Sequence, residues 1–367
     1  MKIAIISPKN RTVYNFRGDL IKEIIKSGHD VIVTGPNNID VKKIEDLEAK
    51  FKKIPLEKNG INIIADIKYL LNLKKLFKKE KPDITLGYTI KPVIYGSIAA
   101  KMAKVKNINA MVTGVGYLFT AKSPKAKILR IFALVLYKIG FKCADKIIFQ
   151  NESDREEFLS YRLLKKENSH IVNGSGVNMD IFSPKPLPST ISFFMLSRVM
   201  ISKGIREYLA AASSIKTSYP DVKFMLLGAC ESIQDSLKEE DLAPYIEKGI
   251  IEHYGETDNV SKYYEMCSVY VLPSYREGTP RTVLEAMATK RPIITTDVPG
   301  CRGTVIDKKT GFLVKIKDVN DLTEKMEWFI LNPERIKDMG QASYEHCLDK
   351  YDVKKVNKDM LSIMNIK

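Results

Sequence analysis

Two glutamates, Glu277 and Glu285, stand eight residues apart in the run VYVLPSYREGTPRTVLEAMATKRPIITTD, residues 269–297. A carboxylate accepts hydrogen bonds on both oxygens and suits a vicinal diol. Between the pair lies Gly278-Thr279-Pro280, which reads as the start of a helix, with Thr279 as N-cap and Pro280 in the first helical position. A helix start has unsatisfied backbone N–H groups and a partial positive charge, so it attracts phosphate. A phosphate seat with a carboxylate on either side fits a sugar–diphosphate–ribose compound. The same spacing fits two solvated charges, one on a loop and one on a helix surface.

Four elements must position these groups. Val269–Leu272 is a short apolar strand, and 273–280 is a loop holding Arg276, Glu277 and Gly278. A helix follows over 281–289, with Val283, Leu284, Met287 and Ala288 on one side. A second strand, Ile293–Thr296, closes a βαβ unit. In open α/β sheets, ligands bind at loops leaving the carboxyl ends of strands.

This run, with Leu284-Glu285-Ala286 and Pro292-Ile293-Ile294, resembles the E-x7-E signature of retaining glycosyltransferases of family four, which have the GT-B fold. The resemblance implies that Glu277 binds sugar hydroxyls and Glu285 the ribose. The amides of Thr279, Pro280's neighbours, Thr282 and Val283 would support the leaving diphosphate alongside Gly278. Residues 197–204, Ser-Arg-Val-Met-Ile-Ser-Lys-Gly, resemble the family's G-R-x-x-x-x-K-G motif with Ser197 in place of glycine. Arg198 and Lys203, five apart across a strand-to-helix loop, suit two positive contacts to one diphosphate. No D-x-D metal-ligand motif occupies a suitable loop, so no metal and no cofactor is expected; the resemblance implies that the donor would be a UDP-sugar.

The first half carries further matches. Gly114 and Gly116, in Thr113-Gly114-Val115-Gly116-Tyr117 after a strand, resemble a family loop that faces the donor diphosphate. The stretch 8–18 reads as a loop before a helix over 19–27, placing Arg17 at a helix tip where it would meet an acceptor phosphate. Lys91, in Gly87-Tyr88-Thr89-Ile90-Lys91-Pro92, would point toward the acceptor, while the histidine that some relatives carry in that loop is missing. In the second half, His253 ends a strand and Tyr254 follows it, at a loop that borders the nucleotide base in the family.

Length and charge agree with two domains. A chain of 367 residues exceeds the usual size of one core. Short apolar strands at 2–7, 31–35, 84–87, 108–112, 146–150 and 170–173 alternate with helical segments, and further strands are expected at 191–196, 222–227, 250–253 and 311–314. The expected fold is α/β: two Rossmann-like doubly wound domains facing across a cleft. Residues 1–174 would bind the acceptor, 178–345 the nucleotide sugar, and 346–367 would form a helix returning to the first domain. The glycine-rich 173–178 is the boundary. Five scattered cysteines without a C-x-x-C pair suggest reduced structural thiols.

The net charge of +15 lies wholly in residues 1–180, which hold 33 Lys and Arg against 18 Asp and Glu; the remainder holds 26 of each. Such asymmetry points to an anionic surface or polyanion. No nucleic-acid motif is present. Segments 68–81 and 120–142 mix apolar stripes with basic faces, the pattern of interfacial helices. Lys122, Lys125, Lys127 and Arg130 would meet anionic lipid. Met1-Lys2 leads directly into a strand, so no leader is expected, and no apolar run is long enough to span a bilayer. The protein is expected in the cytoplasm, peripheral on the inner membrane face. The reading is a retaining transfer of a sugar of N-acetylated hexosamine type from a UDP-sugar to a polyprenyl-diphosphate-linked saccharide in capsule, O-antigen or glycan assembly. The alternatives are a UDP-N-acetylglucosamine 2-epimerase-like enzyme, which shares the fold, and a catalytically silent membrane scaffold.

Overall fold

Strands buried on both faces read as unbroken apolar runs, and they assemble into parallel sheets sandwiched by helices. The computed structural model describes residues 1–57, 60, 62–115, 124–233 and 235–367, with the side chains of 124–126 undescribed. It divides into two units, one of Met1–Ser175 with Val353–Lys367, the other Gly176–Asp352.

The first unit runs β1 (Lys2–Ile6), α1 (Asn10–Lys26), β2 (Asp30–Gly35), α2 (Val41–Glu45), β3 (Lys50–Lys53), α3 (Ile63–Glu80) and β4 (Ile84–Tyr88). A π-helical turn (Pro92–Gly96) leads into α4 (Ser97–Met102), β5 (Asn107–Val112), α5 (Pro124–Cys143), β6 (Lys146–Phe149), α6 (Glu152–Ser160) and β7 (Ser169–Ile171). The seven strands are parallel in the order β3-β2-β1-β4-β5-β6-β7. Side chains alternate across the sheet: Ile3 and Ile5 enter one core, Ala4 and Ile6 the other.

The second unit runs β8 (Ser192–Leu196), a 3-10 turn (Ile201–Lys203), α7 (Ile205–Ser218), β9 (Lys223–Leu227), α8 (Glu239–Glu247) and β10 (Glu252–His253). It continues through α9 (Ser261–Glu265), β11 (Val269–Leu272), α10 (Arg281–Ala288), β12 (Ile293–Thr296), β13 (Gly311–Val314), α11 (Val319–Leu331) and α12 (Glu334–Lys350). Its parallel order is β10-β9-β8-β11-β12-β13. The order reverses direction between β8 and β11, and the switch point of a doubly wound sheet is where loops diverge and leave a crevice.

Three expectations need correction. Helix α1 begins at Asn10, not at 19; the supposed loop is its first two turns, so Arg17 sits mid-helix. Edge strand β3, KFKK, escaped detection because its lysines suppress the apolar signal, a common protection for sheet edges. Residues 346–350 do not belong to a returning helix: they end α12 in the second unit. The helix that belongs with the first unit is α13 (Val353–Ile363). It places Met360 in the core, and the segment after it adds Met364 and Ile366. Asn107 Nδ2 donates to the Met364 carbonyl at 2.7 Å, and Lys146 Nζ to Asn365 Oδ1 at 2.9 Å.

Candidate functional site

Two loops leave the switch point of the second sheet, 197–204 after β8 and 273–280 after β11. Backbone contacts bind them together. The Tyr275 amide and the Ser274 hydroxyl both donate to the Ser202 carbonyl, at 2.9 and 3.2 Å. Gly204, at φ 79°, lies so close that a Cβ there would stand 2.1 Å from the Pro273 carbonyl oxygen. Below, the Tyr275 hydroxyl donates to Glu207 Oε1 at 2.8 Å.

The juxtaposed loops bring Lys203 and Glu277 into contact. Lys203 Nζ donates to Glu277 Oε1 at 2.5 Å, with both side chains largely shielded. The Glu277 backbone is fixed from the other side, since its amide donates to the Pro299 carbonyl at 3.3 Å. Gly300, at φ 82°, packs so that a Cβ would lie 2.1 Å from the Glu277 carbonyl oxygen. Cys301 lies nearby, but burial, reinforced by the Glu277 charge, pushes its thiol up to about 12. It stays protonated and is no nucleophile. Arg198 is half exposed, and its Nη1 donates to Glu231 Oε2 at 2.9 Å.

Helix α10 starts beside these groups. Its cap is Pro280, in extended conformation without a side-chain cap bond, rather than Thr279. A residue before proline is held extended, and here the helix starts after the proline itself. The Pro280 carbonyl accepts from the amides of Val283 at 3.1 Å and Leu284 at 3.3 Å. Val283 is therefore no diphosphate donor: its amide is engaged and its side chain lies in the core. Arg281 and Thr282 occupy the first two helical positions, whose amides have no acceptor within the helix. Gly278 and Pro280 are buried and Thr279 is half-buried.

One turn along, Glu285 is buried. Its Oε2 accepts from the Tyr264 hydroxyl at 2.9 Å and its Oε1 from Arg281 Nε at 3.1 Å. Burial lifts its carboxyl above the ordinary value, and the Arg281 charge and the Tyr264 hydroxyl oppose the shift. A carboxylate held this way is rigid and poorly solvated, properties that suit recognition of a diol. Tyr254, after the edge strand β10, is half-buried against Tyr263 with ring centroids 4.8 Å apart. It donates through its hydroxyl to Glu252. His253 Nε2 lies 2.8 Å from the Gly228 carbonyl and ties β10 to the β9 exit.

The expected residues of the first unit fare differently. Arg17 is buried, not at a helix tip. Its Nη1 donates to the Phe16 carbonyl and to Ser175 Oγ, each at 3.2 Å, and its guanidinium lies 5.2 Å from the Tyr88 ring centroid. Lys91 is also turned inward: Nζ meets Asp66 Oδ1 at 2.7 Å, both side chains nearly buried, and the Tyr95 hydroxyl holds Asp66 Oδ2 at 3.1 Å. Neither presents a solvated charge to an acceptor. Gly114, at φ 118°, follows β5. Gly116 and Lys122 lie outside the described residues, as does the Lys125 side chain.

Helix α5 presents an apolar stripe to solvent. Ile128, Ile131, Phe132, Val135 and Ile139 are exposed, while Tyr137 and Phe141 face the core. Lys127 is exposed and Arg130 half exposed on the same helix. Helix α3 adds Ile63, Ile64, Ile67 and Leu71, mostly upstream of the segment expected from sequence. Both helices pack on α4 and the π-helical turn. Among the described residues, no helix is long and apolar enough to cross a membrane.

Glu231, Tyr264, Arg281 and Asp66 were missed by sequence reasoning. Arg281, four residues from Glu285, was legible as a helical ion pair. The others are joined to their partners only by the fold.

Two family models cover most of the chain: glycosyl transferases group 1 over residues 180–346 and glycosyl transferase 4-like over 2–151. The chain is 27% identical over 351 residues to N,N'-diacetylbacillosaminyl-diphospho-undecaprenol alpha-1,3-N-acetylgalactosaminyltransferase of Campylobacter jejuni, covering 92% of this chain and 91% of that one. It is 26% identical to the capsular polysaccharide biosynthesis glycosyltransferase CapM of Staphylococcus aureus, covering 99% and 97%. It is also 26% identical to the UDP-Gal:alpha-D-GlcNAc-diphosphoundecaprenol alpha-1,3-galactosyltransferase of Escherichia coli, covering 73% and 71%. Among solved structures, sucrose-phosphate synthase of Thermosynechococcus elongatus superposes with a TM-score of 0.82 at 19% identity, covering 100% and 98%. HepE of Anabaena, in complex with UDP and glucose, gives 0.78 at 14%, covering 100% and 99%.

Proposed function

We propose that this chain, which belongs to the family-four glycosyltransferases of GT-B fold, moves a hexose-type sugar from a UDP-sugar to a polyprenyl-diphosphate-linked saccharide with retention of anomeric configuration. One observation carries the reading. At a single switch point the fold gathers two cations, a carboxylate, the start of α10 and the buried Glu285.

The chemistry follows from charge. As the anomeric bond stretches, negative charge grows on the leaving diphosphate. Arg198, Lys203 and the amides of Arg281 and Thr282 neutralise that charge where it develops. Glu277, released from Lys203 by the incoming phosphate, accepts from sugar hydroxyls. Glu285 accepts from the ribose diol. With the leaving group neutralised by two cationic side chains and a helix start, the step has no need of a metal ion. Transfer of an N-acetylated hexosamine draws support from the Campylobacter relative, and a UDP donor from the printed substrate of the Escherichia coli relative.

A lipid-linked acceptor is supported by the names of those two relatives and by the apolar stripe of α5. Together with Lys127 and Arg130, the stripe suits peripheral binding at an anionic membrane, where basic groups meet head groups and apolar side chains enter the interface. Purified protein in EDTA, given a panel of UDP-sugars, should release UDP only when a polyprenyl-diphosphate saccharide is added. The product linkage should keep the donor's anomeric configuration. UDP release that ignores the acceptor, or a C2-epimerised UDP-sugar, overturns the reading. Loss of turnover in EDTA with rescue by Mg²⁺ refutes the metal-free step.

A further inference from the structure

Both cations of the diphosphate site are already neutralised by carboxylates: Lys203 by Glu277 and Arg198 by Glu231. The two pairs differ. Lys203 and Glu277 are shielded, and Glu277 has its own task in the reaction. Arg198 and Glu231 are each a third to a half exposed, and Glu231 has no such task.

The backbone around Glu231 is firmly held. The loop after β9 runs beside residues 197–203: the Ser197 amide donates to the Leu227 carbonyl at 3.1 Å, Val199 to Ala229 at 3.1 Å, and Leu237 to Val199 at 3.0 Å. Ser236 Oγ donates to the Val199 carbonyl at 2.8 Å and accepts from the Glu231 amide at 3.0 Å. Asp235 anchors the far end, accepting from the Ser202 amide at 3.3 Å and from the Ser202 hydroxyl. The fold thus fixes the Cα positions of Arg198 and Glu231 and leaves their exposed side-chain ends free to part.

We infer that Glu231 is a latch on Arg198, a positioning residue that holds the guanidinium until the donor arrives and sets donor affinity by competing with the diphosphate for it. The inference rests on the proposed placement of the donor diphosphate. With Glu231 present, the charges of Arg198, Lys203, Glu231 and Glu277 cancel. Binding a diphosphate requires Arg198 to exchange one anion for another, and the released carboxylate stays close to the phosphate and repels it. Exposed ion pairs are individually weak and screened by salt, so the latch opens readily and acts on affinity rather than on access.

The test measures binding of UDP and of inorganic pyrophosphate, which probes the diphosphate seat without a base, by calorimetry at low and high salt. Glu231→Gln should tighten both about fivefold or more at low salt, the scale of one lost ion pair plus one lost like-charge contact. The gain should shrink at high salt, and it should shrink again in an Arg198→Ala background, which has no guanidinium to release. Damage to the fold cannot produce tighter binding. Unchanged or weaker binding by Glu231→Gln overturns the latch. If Arg198→Ala alone still weakens UDP, the donor site stands without it. If neither probe binds the wild type, or Arg198→Ala leaves binding unchanged, the donor-site reading falls and the latch falls with it.

Discussion

The exposed stripe of α5 gives the most demanding test of membrane association. Its five side chains, Ile128, Ile131, Phe132, Val135 and Ile139, are between 45% and 69% exposed. Moving a fully exposed side chain of this size out of water is worth roughly 1.5–3 kcal/mol, so each of these half-exposed groups offers about 1 kcal/mol. Together they offer about 5 kcal/mol before the cost of ordering. Lys127 and Arg130 add about 1 kcal/mol each at an anionic surface. Apolar insertion therefore outweighs the electrostatic part, and high salt should release the protein only partially. Replacing Ile128 and Ile131 together by Asp removes about 2 kcal/mol of insertion and sets two carboxylates against anionic lipid. The combined loss is about 4 kcal/mol, or nearly a thousandfold in partition. Both sites are exposed, so the melting temperature should stay unchanged. Co-sedimentation with vesicles of phosphatidylglycerol and phosphatidylcholine reads the effect. A double variant that partitions within about threefold of wild type removes α5 from any membrane face.

The proposed donor site predicts further outcomes. Arg198→Ala should lose about 2–4 kcal/mol of transition-state stabilisation, seen as a fall in kcat/KM; turnover within about twofold of wild type removes Arg198 from the mechanism. Burial raises the Glu285 carboxyl in the folded state, so the fold binds this proton more tightly than the unfolded chain does. Its contribution to stability is greatest under acid conditions and declines as pH rises from the ordinary carboxylate value through the raised one. Glu285→Gln should consequently gain on the wild type as pH rises above the ordinary carboxylate value in denaturant titrations, while losing UDP affinity; a stability difference that does not change with pH there refutes the burial argument. Arg291 is fully buried, its guanidinium donating to the carbonyls of Tyr264, Lys185, Thr289 and Pro186. Arg291→Met strands these acceptors and should cost about 3–5 kcal/mol, read as a lower denaturant midpoint; an unchanged midpoint shows that water takes over the acceptors.

Much of this architecture was legible because parallel strands advertise themselves. The runs at 84–87 and 293–296 carry no charged residue, threonine being their one polar type, and both became strands. The convergence of Lys203 and Glu277 was implied by the family resemblance, but their direct contact was not, because 74 residues separate them. Lys91 and Asp66 illustrate the same limit: each looks like an ordinary surface charge, and only the packing of α3 against the β4 exit makes them a buried pair. The start of α1 was missed because Lys9 caps it without a side-chain bond, so the cap position itself holds no Ser, Thr, Asp or Asn to announce it. Arg17 was misplaced as a result. The shift at Pro280 is subtler, since proline serves equally at the first helical position and just before it.

The discontinuity of the first unit bears on the order in which the molecule is made. Its core includes Met360, Met364 and Ile366, residues translated after the whole of Gly176–Asp352. A ribosome delivers the chain from its amino end, and domains generally fold as they emerge. The unit begun first is thus the one finished last, waiting with part of its apolar interior uncovered until the final helix arrives. Loss of the last fifteen residues would leave that interior open permanently. Such a truncated protein should be lost to aggregation or proteolysis rather than to a defect in chemistry.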